Sequence, residues 1–159
     1  MMKIYRQGAV GALLDEYERT ILELQKVIAD VSDQDLTKVV DPQTKDANCK
    51  SIQTILSHVV SSGYGYATDI HKCKGHIIKR PDKTFHLTVK EYINDLTKVF
   101  EFTSTIFKDI KDSELEIFDN SQKIKTSWGQ LYDIEQLTEH AIVHILRHRR
   151  QIERLKNSY

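Results

Sequence analysis

Apolar side chains return at intervals of three and four through four separate stretches of this chain, and only two prolines and six glycines interrupt its 159 residues. A side chain returns to the same face of a helix after three or four residues, so the rhythm is that of amphipathic helices rather than of a many-turned β fold. The first stretch, residues 8–31, places Val10, Leu13, Leu14, Tyr17, Ile21, Leu24 and Ile28 on one stripe. Ser32 is suited to cap a short turn through Leu36 to Val39, and Pro42 ends it by disfavouring helix at Asp41. The second stretch, residues 51–72, carries Ile52, Ile55, Leu56, Val59, Val60, Gly63, Ala67 and Ile70. Gly63 and Gly65 are poor helix formers, which predicts close packing of this helix against a neighbour. The third stretch opens on the capping-box sequence Thr88-Val89-Lys90-Glu91 and ends near Ile110. Asp133 with Gln136 opens the fourth, which runs to about Lys156.

Two connections lack this rhythm. Residues 75–86 read as a loop whose polar turn is Lys79-Arg80-Pro81-Asp82. Residues 111–131 are irregular, with a weak alternation from Phe118 to Trp128 that predicts a short hairpin; Trp128 is expected to plug one end of the bundle. Four long amphipathic helices in a single domain of residues 1–159 predict an all-α four-helix bundle. The long connection before the fourth helix leaves room for a crossover or a lid.

Charge excludes several classes of partner. Acidic and basic residues balance at 23 each, so no strong field points to nucleic acid or an anionic membrane surface. No run of about 18 apolar residues exists to span a membrane, and the opening residues lack the apolar core of a signal peptide. Cys49 and Cys73 fit no metal or redox spacing. The expected setting is a reducing cytoplasm, without structural disulfides.

Three of the seven histidines, His140, His144 and His148, stand four residues apart inside the fourth stretch. Side chains at that spacing are neighbours on one helix face, and adjacent imidazoles can chelate one metal ion. At about 100° per residue, His148 falls about 40° from the apolar centre set by Ile134, His144 about 80° and His140 about 120°. His148 and His144 are therefore the better inward pair and His140 the outer member. On the second helix His58 falls about 120° from Ile52, on the edge of the stripe. An edge position there can meet a flank position on the fourth helix. Three imidazoles on one ion leave at least one coordination position open, the layout of a catalytic site. His71, His76 and His86, at a helix end and in a loop, read as ordinary polar residues. Arg147, Arg150 and Arg154 read as a solvated face. Arg149, about 60° from the core centre, needs an acceptor on another helix.

At these residues the chain resembles a known family. His144-x-x-x-His148-Arg149-Arg150-Gln151-Ile152 is similar to the His-x-x-x-His-Arg-Gly-Gln-Ile signature of the DinB/YfiT-like superfamily. Ile52-Gln53-Thr54-Ile55-Leu56-Ser57-His58-Val59 resembles the family's second-helix segment. The resemblance implies an up-down-down-up four-helix bundle and a divalent metal ion held by His58, His144 and His148. It implies His140 as a pocket-lining or supporting residue. Arg150 stands where the family usually has glycine, but its predicted solvent-facing direction accommodates a bulky side chain. The resemblance further implies a small-molecule substrate, either hydrolysed or attacked by a low-molecular-weight thiol, and a homodimer. Zinc, nickel and iron all suit three imidazoles. A non-enzymatic, stress-linked bundle braced by a structural metal is the alternative. No carboxylate has a spacing that nominates it as general base.

Overall fold

The computed structural model describes residues 4–157. It contains four long helices, α1 (Gly8–Ile28), α3 (Ile52–Cys73), α4 (Val89–Phe107) and α5 (Ile134–Lys156), with a short α2 (Asp33–Thr37) between the first two. None of the described helices is long and apolar enough to cross a membrane.

The helix starts follow their local chemistry. Ser51 and Thr54 satisfy each other's backbone N–H groups in a reciprocal box at the head of α3, and Asp133 and Gln136 do the same for α5. Thr88 accepts from the Glu91 N–H at α4, and Ser32 from the Asp35 N–H at α2. The start of α1 has no such side chain of its own. Its Val10 N–H donates instead to the Asp112 carboxylate at 2.9 Å, an acid supplied by the connection after α4. This end bond is long-range, so a sequence reading cannot find it. At the other end α1 stops at Ile28, three residues before the expected Val31, where Lys156 Nζ takes the Val27 carbonyl at 2.7 Å. A terminal carbonyl met by a cation is a favourable helix end.

Each long helix packs mainly against two others: α1 on α4 and α5, and α3 on α4 and α5. Specific contacts fix the directions. Glu23 pairs with Arg149, and Asp30 with Lys156, so α1 and α5 run parallel. Ser57 Oγ meets Tyr92 Oη at 2.5 Å and Tyr64 meets the Phe102 ring, so α3 and α4 are also parallel. Gln25 bonds to the Ile93 carbonyl while Tyr17 packs on Phe100, and His58 faces His144 while Tyr66 faces His140. Both of these pairings, α1 with α4 and α3 with α5, are therefore antiparallel. Leu24, Ile55, Leu56, Leu96, Leu137 and Ile152 are fully buried where the four stripes converge. Each such side chain stabilises the fold by about 1.5–3 kcal/mol relative to exposure.

Gly63 meets its expectation: a Cβ there would lie 2.8 Å from Val99 Cγ2 on α4. Gly65 does not. What covers it is the Arg80 guanidinium from the following loop, with Nη1 2.9 Å from a Cβ position. The hairpin also differs from expectation. Strands β1 (Ile124–Lys125) and β2 (Leu131–Tyr132) pair antiparallel, and the turn between them uses Gly129 at φ +91°. Only a glycine adopts that backbone readily, so the chain turns over residues 126–130, with Trp128 inside the turn and Phe118 outside the hairpin. Trp128 plugs no end of the helices. It is half-exposed and lies flat on His140, with ring centroids 5.1 Å apart.

Candidate metal centre

Two antiparallel helices bring three imidazoles to one point. His58 stands on the second turn of α3, and His144 and His148 stand one turn apart on α5. His58 Nε2 lies 3.0 Å from His144 Nε2. Ring centroids are 4.8 Å apart for His58 and His144, 5.1 Å for His58 and His148, and 4.6 Å for His144 and His148. One nitrogen from each ring lies within 4.8 Å of the others. Two nitrogens bound to one ion at about 2.1 Å cannot be more than about 4.2 Å apart. The cluster is thus close to ligating size, and side-chain rotation closes what is left.

The two α5 rings are ordered opposite to the angular ranking. His144, placed on the flank by angle, is the buried one at 8% exposure, while His148 is half-buried. What stands opposite on α3 explains the reversal. Tyr66 closes edge-on over His144, with centroids 5.7 Å apart. His148 meets His58 and Gln151 and feels the Asp46 carboxylate instead. His140 takes the outer place expected of it, 6.3 Å from His144 between ring centroids, stacked on Trp128 and met edge-on by Tyr66.

The electrostatics favour neutral rings. Burial, then the neighbouring His148, presses His58 down to about 4. Burial, reinforced by His148 and His58, presses His144 down to about 3. His148 is also lowered by burial, against the pull of its hydrogen bond to Gln151, and burial lowers His140. A neutral imidazole is the form that ligates a metal. The tautomer of His148 is set by Gln151 Oε1, which accepts from Nδ1 at 2.9 Å and leaves Nε2 free to ligate. A 3.0 Å contact between two nitrogens suits either one shared proton or one shared cation. A third imidazole beside the pair gives the cluster the donor number that a metal site uses.

Residues that sequence reasoning passed over complete the surroundings. A cleft of about 550 Å³ opens beside His58, lined by the rings of Tyr66, Trp128 and His140 and by Arg80 and Lys83. Asp46 is the carboxylate whose charge acts on both His58 and His148. It is held below the usual range first by the Asn48 backbone N–H. Cys49 and Cys73 are free thiols, and Cys49 Sγ approaches Gln151 Oε1 at 4.0 Å. His140 shares the four-residue spacing of His144 and His148, but Arg80, Lys83 and Trp128 come from loops and Asp46 from a turn, so only the fold brings those four here.

The other histidines stay apart from the centre. His71 and His76 stack on each other at 4.6 Å. His86 ties its loop to α4, with Nε2 2.6 Å from Asp95 Oδ2. Arg149 finds the acceptor it was expected to need in Glu23 of α1, and Arg150 is exposed as its angle predicted.

No curated protein and no solved structure gives a significant match to the chain. The DinB family model matches residues 7–155, nearly the whole length, with all three clustered histidines inside the match, and the chain belongs to the DinB family.

Proposed function

We propose that the protein is a metal-dependent enzyme, built as an up-down-down-up four-helix bundle, in which His58, His144 and His148 hold one divalent cation. The observation that carries this reading is the convergence of three neutral imidazoles from two helices at the edge of an open cleft. The donor set fits zinc, nickel or iron, since all three accept imidazole nitrogen. When bound, such an ion lowers the pKa of a water or thiol that reaches it and polarises an electrophilic substrate. The protein's own residues do the rest. Gln151 orients His148, and Tyr66 covers His144 and keeps it dry. His58 stands at the cleft edge, where a small molecule gains access. Hydrolysis and thiol S-transfer both suit this layout. A purely structural ion explains less, because the apolar core is closed by Leu24, Ile55, Leu96 and Leu137 without it and a brace needs no cleft.

Elemental analysis of protein purified without added metal tests the centre and names the ion; sub-stoichiometric metal that no added ion raises would reject it. Cobalt-substituted protein then separates the chemistries. A thiolate charge-transfer band on adding a small thiol supports S-transfer, and its absence with a water-exchangeable ion supports hydrolysis. A homodimer acting on a small molecule in the cytoplasm belongs to the same proposal. Sedimentation as a monomer at micromolar concentration would reject the dimer.

A further inference from the structure

The loop between α3 and α4 delivers two cations to the wall of the cleft. Arg80 Nη2 donates to the Ser61 carbonyl at 2.6 Å and to the Ser61 hydroxyl at 2.7 Å. Its guanidinium lies flat on the α3 backbone over Gly65, a seat that a Cβ would crowd. Lys83 Nζ donates to Asn48 Oδ1 at 2.6 Å. All of these acceptors are uncharged. Among the described residues neither Arg80 nor Lys83 forms an ion pair, unlike Arg6, Arg19, Lys74, Arg149 and Lys156. A guanidinium has five N–H donors, and Ser61 uses those of one nitrogen.

The loop is held rather than loose. Gln53 donates to the His86 carbonyl at 2.8 Å, and the His86 ring is fastened to Asp95. The two cations are thus presented to the cleft by a fixed element. One carboxylate, Asp69, also lines the cleft, but it stands eleven residues along α3 from His58, about 16 Å away along the axis. Burial pushes its carboxyl above the usual range, although Lys72 and Arg80 pull the other way. Asp46 acts on His58 and His148 but does not line the cleft, whose other charged lining residues, Arg80 and Lys83, are positive.

We infer that the cleft takes a small substrate bearing a compact oxyanion, a carboxylate or a phosphate, which Arg80 and Lys83 hold while its other end reaches the three-histidine centre. The inference rests on the metal-centre reading above for what lies at that other end. The helix sets the span. Ser61 and Gly65, on which Arg80 is seated, follow His58 by three and seven residues, about 4.5 and 10.5 Å along α3. A small metabolite bridges that distance, and a polymer is not needed. Arginine suits the role because its planar fork meets two oxygens at once. Trp128 and Tyr66, which also line the cleft, offer apolar surface to the part between the two ends.

Trp128 is the chain's single tryptophan, and it lines this cleft, so its emission reports binding. The experiment titrates wild type, R80Q and K83Q with inorganic phosphate and separately with acetate, in metal-loaded and metal-free protein. Metal content and far-UV circular dichroism are measured on the same samples. Wild type should show saturable binding of one anion, and the better of the two names the oxyanion. Each substitution should weaken it about tenfold or more, the usual effect of losing a hydrogen bond to a charged group. K83Q gives up the contact to Asn48 and the approach of the ammonium to the Phe85 ring, 5.3 Å from its centroid, and carries the test if R80Q fails to fold. No saturable binding by wild type, or wild-type affinity in both variants, overturns the inference. Stoichiometric metal with anion affinity indifferent to both substitutions sinks the oxyanion seat alone. Arg80-dependent anion binding by protein that takes up no metal keeps the seat and sinks the metal reading.

Discussion

Replacing Gln151 with Leu removes the acceptor that fixes the His148 tautomer while leaving all three imidazoles in place. The bond is 2.9 Å from Nδ1 to Oε1. On a metal-bound imidazole this N–H is polarised, so the bond resembles one to a charged group and contributes about 1.5–3 kcal/mol. Losing the partner that orients a ligating histidine costs roughly 10–100-fold in metal affinity, or about 1.4–2.8 kcal/mol, so the two routes agree. Competition against a chromophoric chelator at neutral pH measures the loss directly. Thermal unfolding gives an independent reading. An ion at 100 times its Kd stabilises the folded state by about 2.7 kcal/mol, roughly 5–10 °C for a domain of this size. Q151L should forfeit half or more of that increment, whereas Q151E, which keeps an acceptor, should retain it. Metal-free Q151L should melt close to wild type, because Gln151 is half-buried and bears on the ion through His148. Affinity within twofold of wild type would refute the orienting role. A loss as complete as that of H148A would make Gln151 itself a ligand.

The three imidazoles should rank by contact rather than by helical angle. H144A and H148A should each abolish stoichiometric metal binding, and H140A should weaken it far less; equal losses at 140 and 148 would overturn the three-ligand assignment. Gly63→Ala forces a methyl to within 2.8 Å of Val99 Cγ2. Overpacking costs about 1–3 kcal/mol, offset by up to about 1 kcal/mol of helix propensity. A fall in stability is expected by denaturant melts, and G63A/V99A should lose less than the two single changes added together. For the metal-free protein, His58 and His144 sit at about 4 and about 3 when folded, below their ordinary 6.5. The unfolded chain therefore binds more protons in this window, and stability present above 6.5 is lost as pH falls toward 3. Melting temperature against pH should slope accordingly, and H58A should flatten the slope; an unchanged slope would show that the acid loss arises elsewhere.

Much of this architecture is legible in the chain because local chemistry and the core stripe agree. The Ser32, Thr88 and Asp133 caps and the apolar stripes of α3, α4 and α5 all stand where spacing puts them. The exceptions are the contacts that long-range structure supplies. The start of α1 is capped by Asp112, about a hundred residues away, and Gly65 is covered by Arg80 from a loop rather than by a helix. A helical wheel can nominate His58, His144 and His148, since it reports direction about one axis. It cannot report what stands across the interface. The order of burial along α5 follows the placement of Tyr66 on α3, and no periodicity carries that information. Trp128 fails for the same reason: positive φ at Gly129 turns the chain and lays the indole on His140.

The antiparallel register of α3 and α5 ties these observations together. Cys49, just before α3, meets Gln151; His58 meets His144 and His148; Tyr66 meets His140 and His144. Moving toward the C-terminus of α3, each step meets an earlier part of α5, so the interface grades from the amide that orients a ring, through the imidazoles, to an aromatic wall. The first two levels have fixed hydrogen-bond partners, as a metal centre needs in order to be pre-organised. The third opens onto the cleft, to whose lining the α3–α4 loop adds Arg80 and Lys83. A structural ion would need only the first two levels. The third, with cations held in place by Ser61 and Asn48, is the part of the interface on which the proposed small-molecule substrate rests.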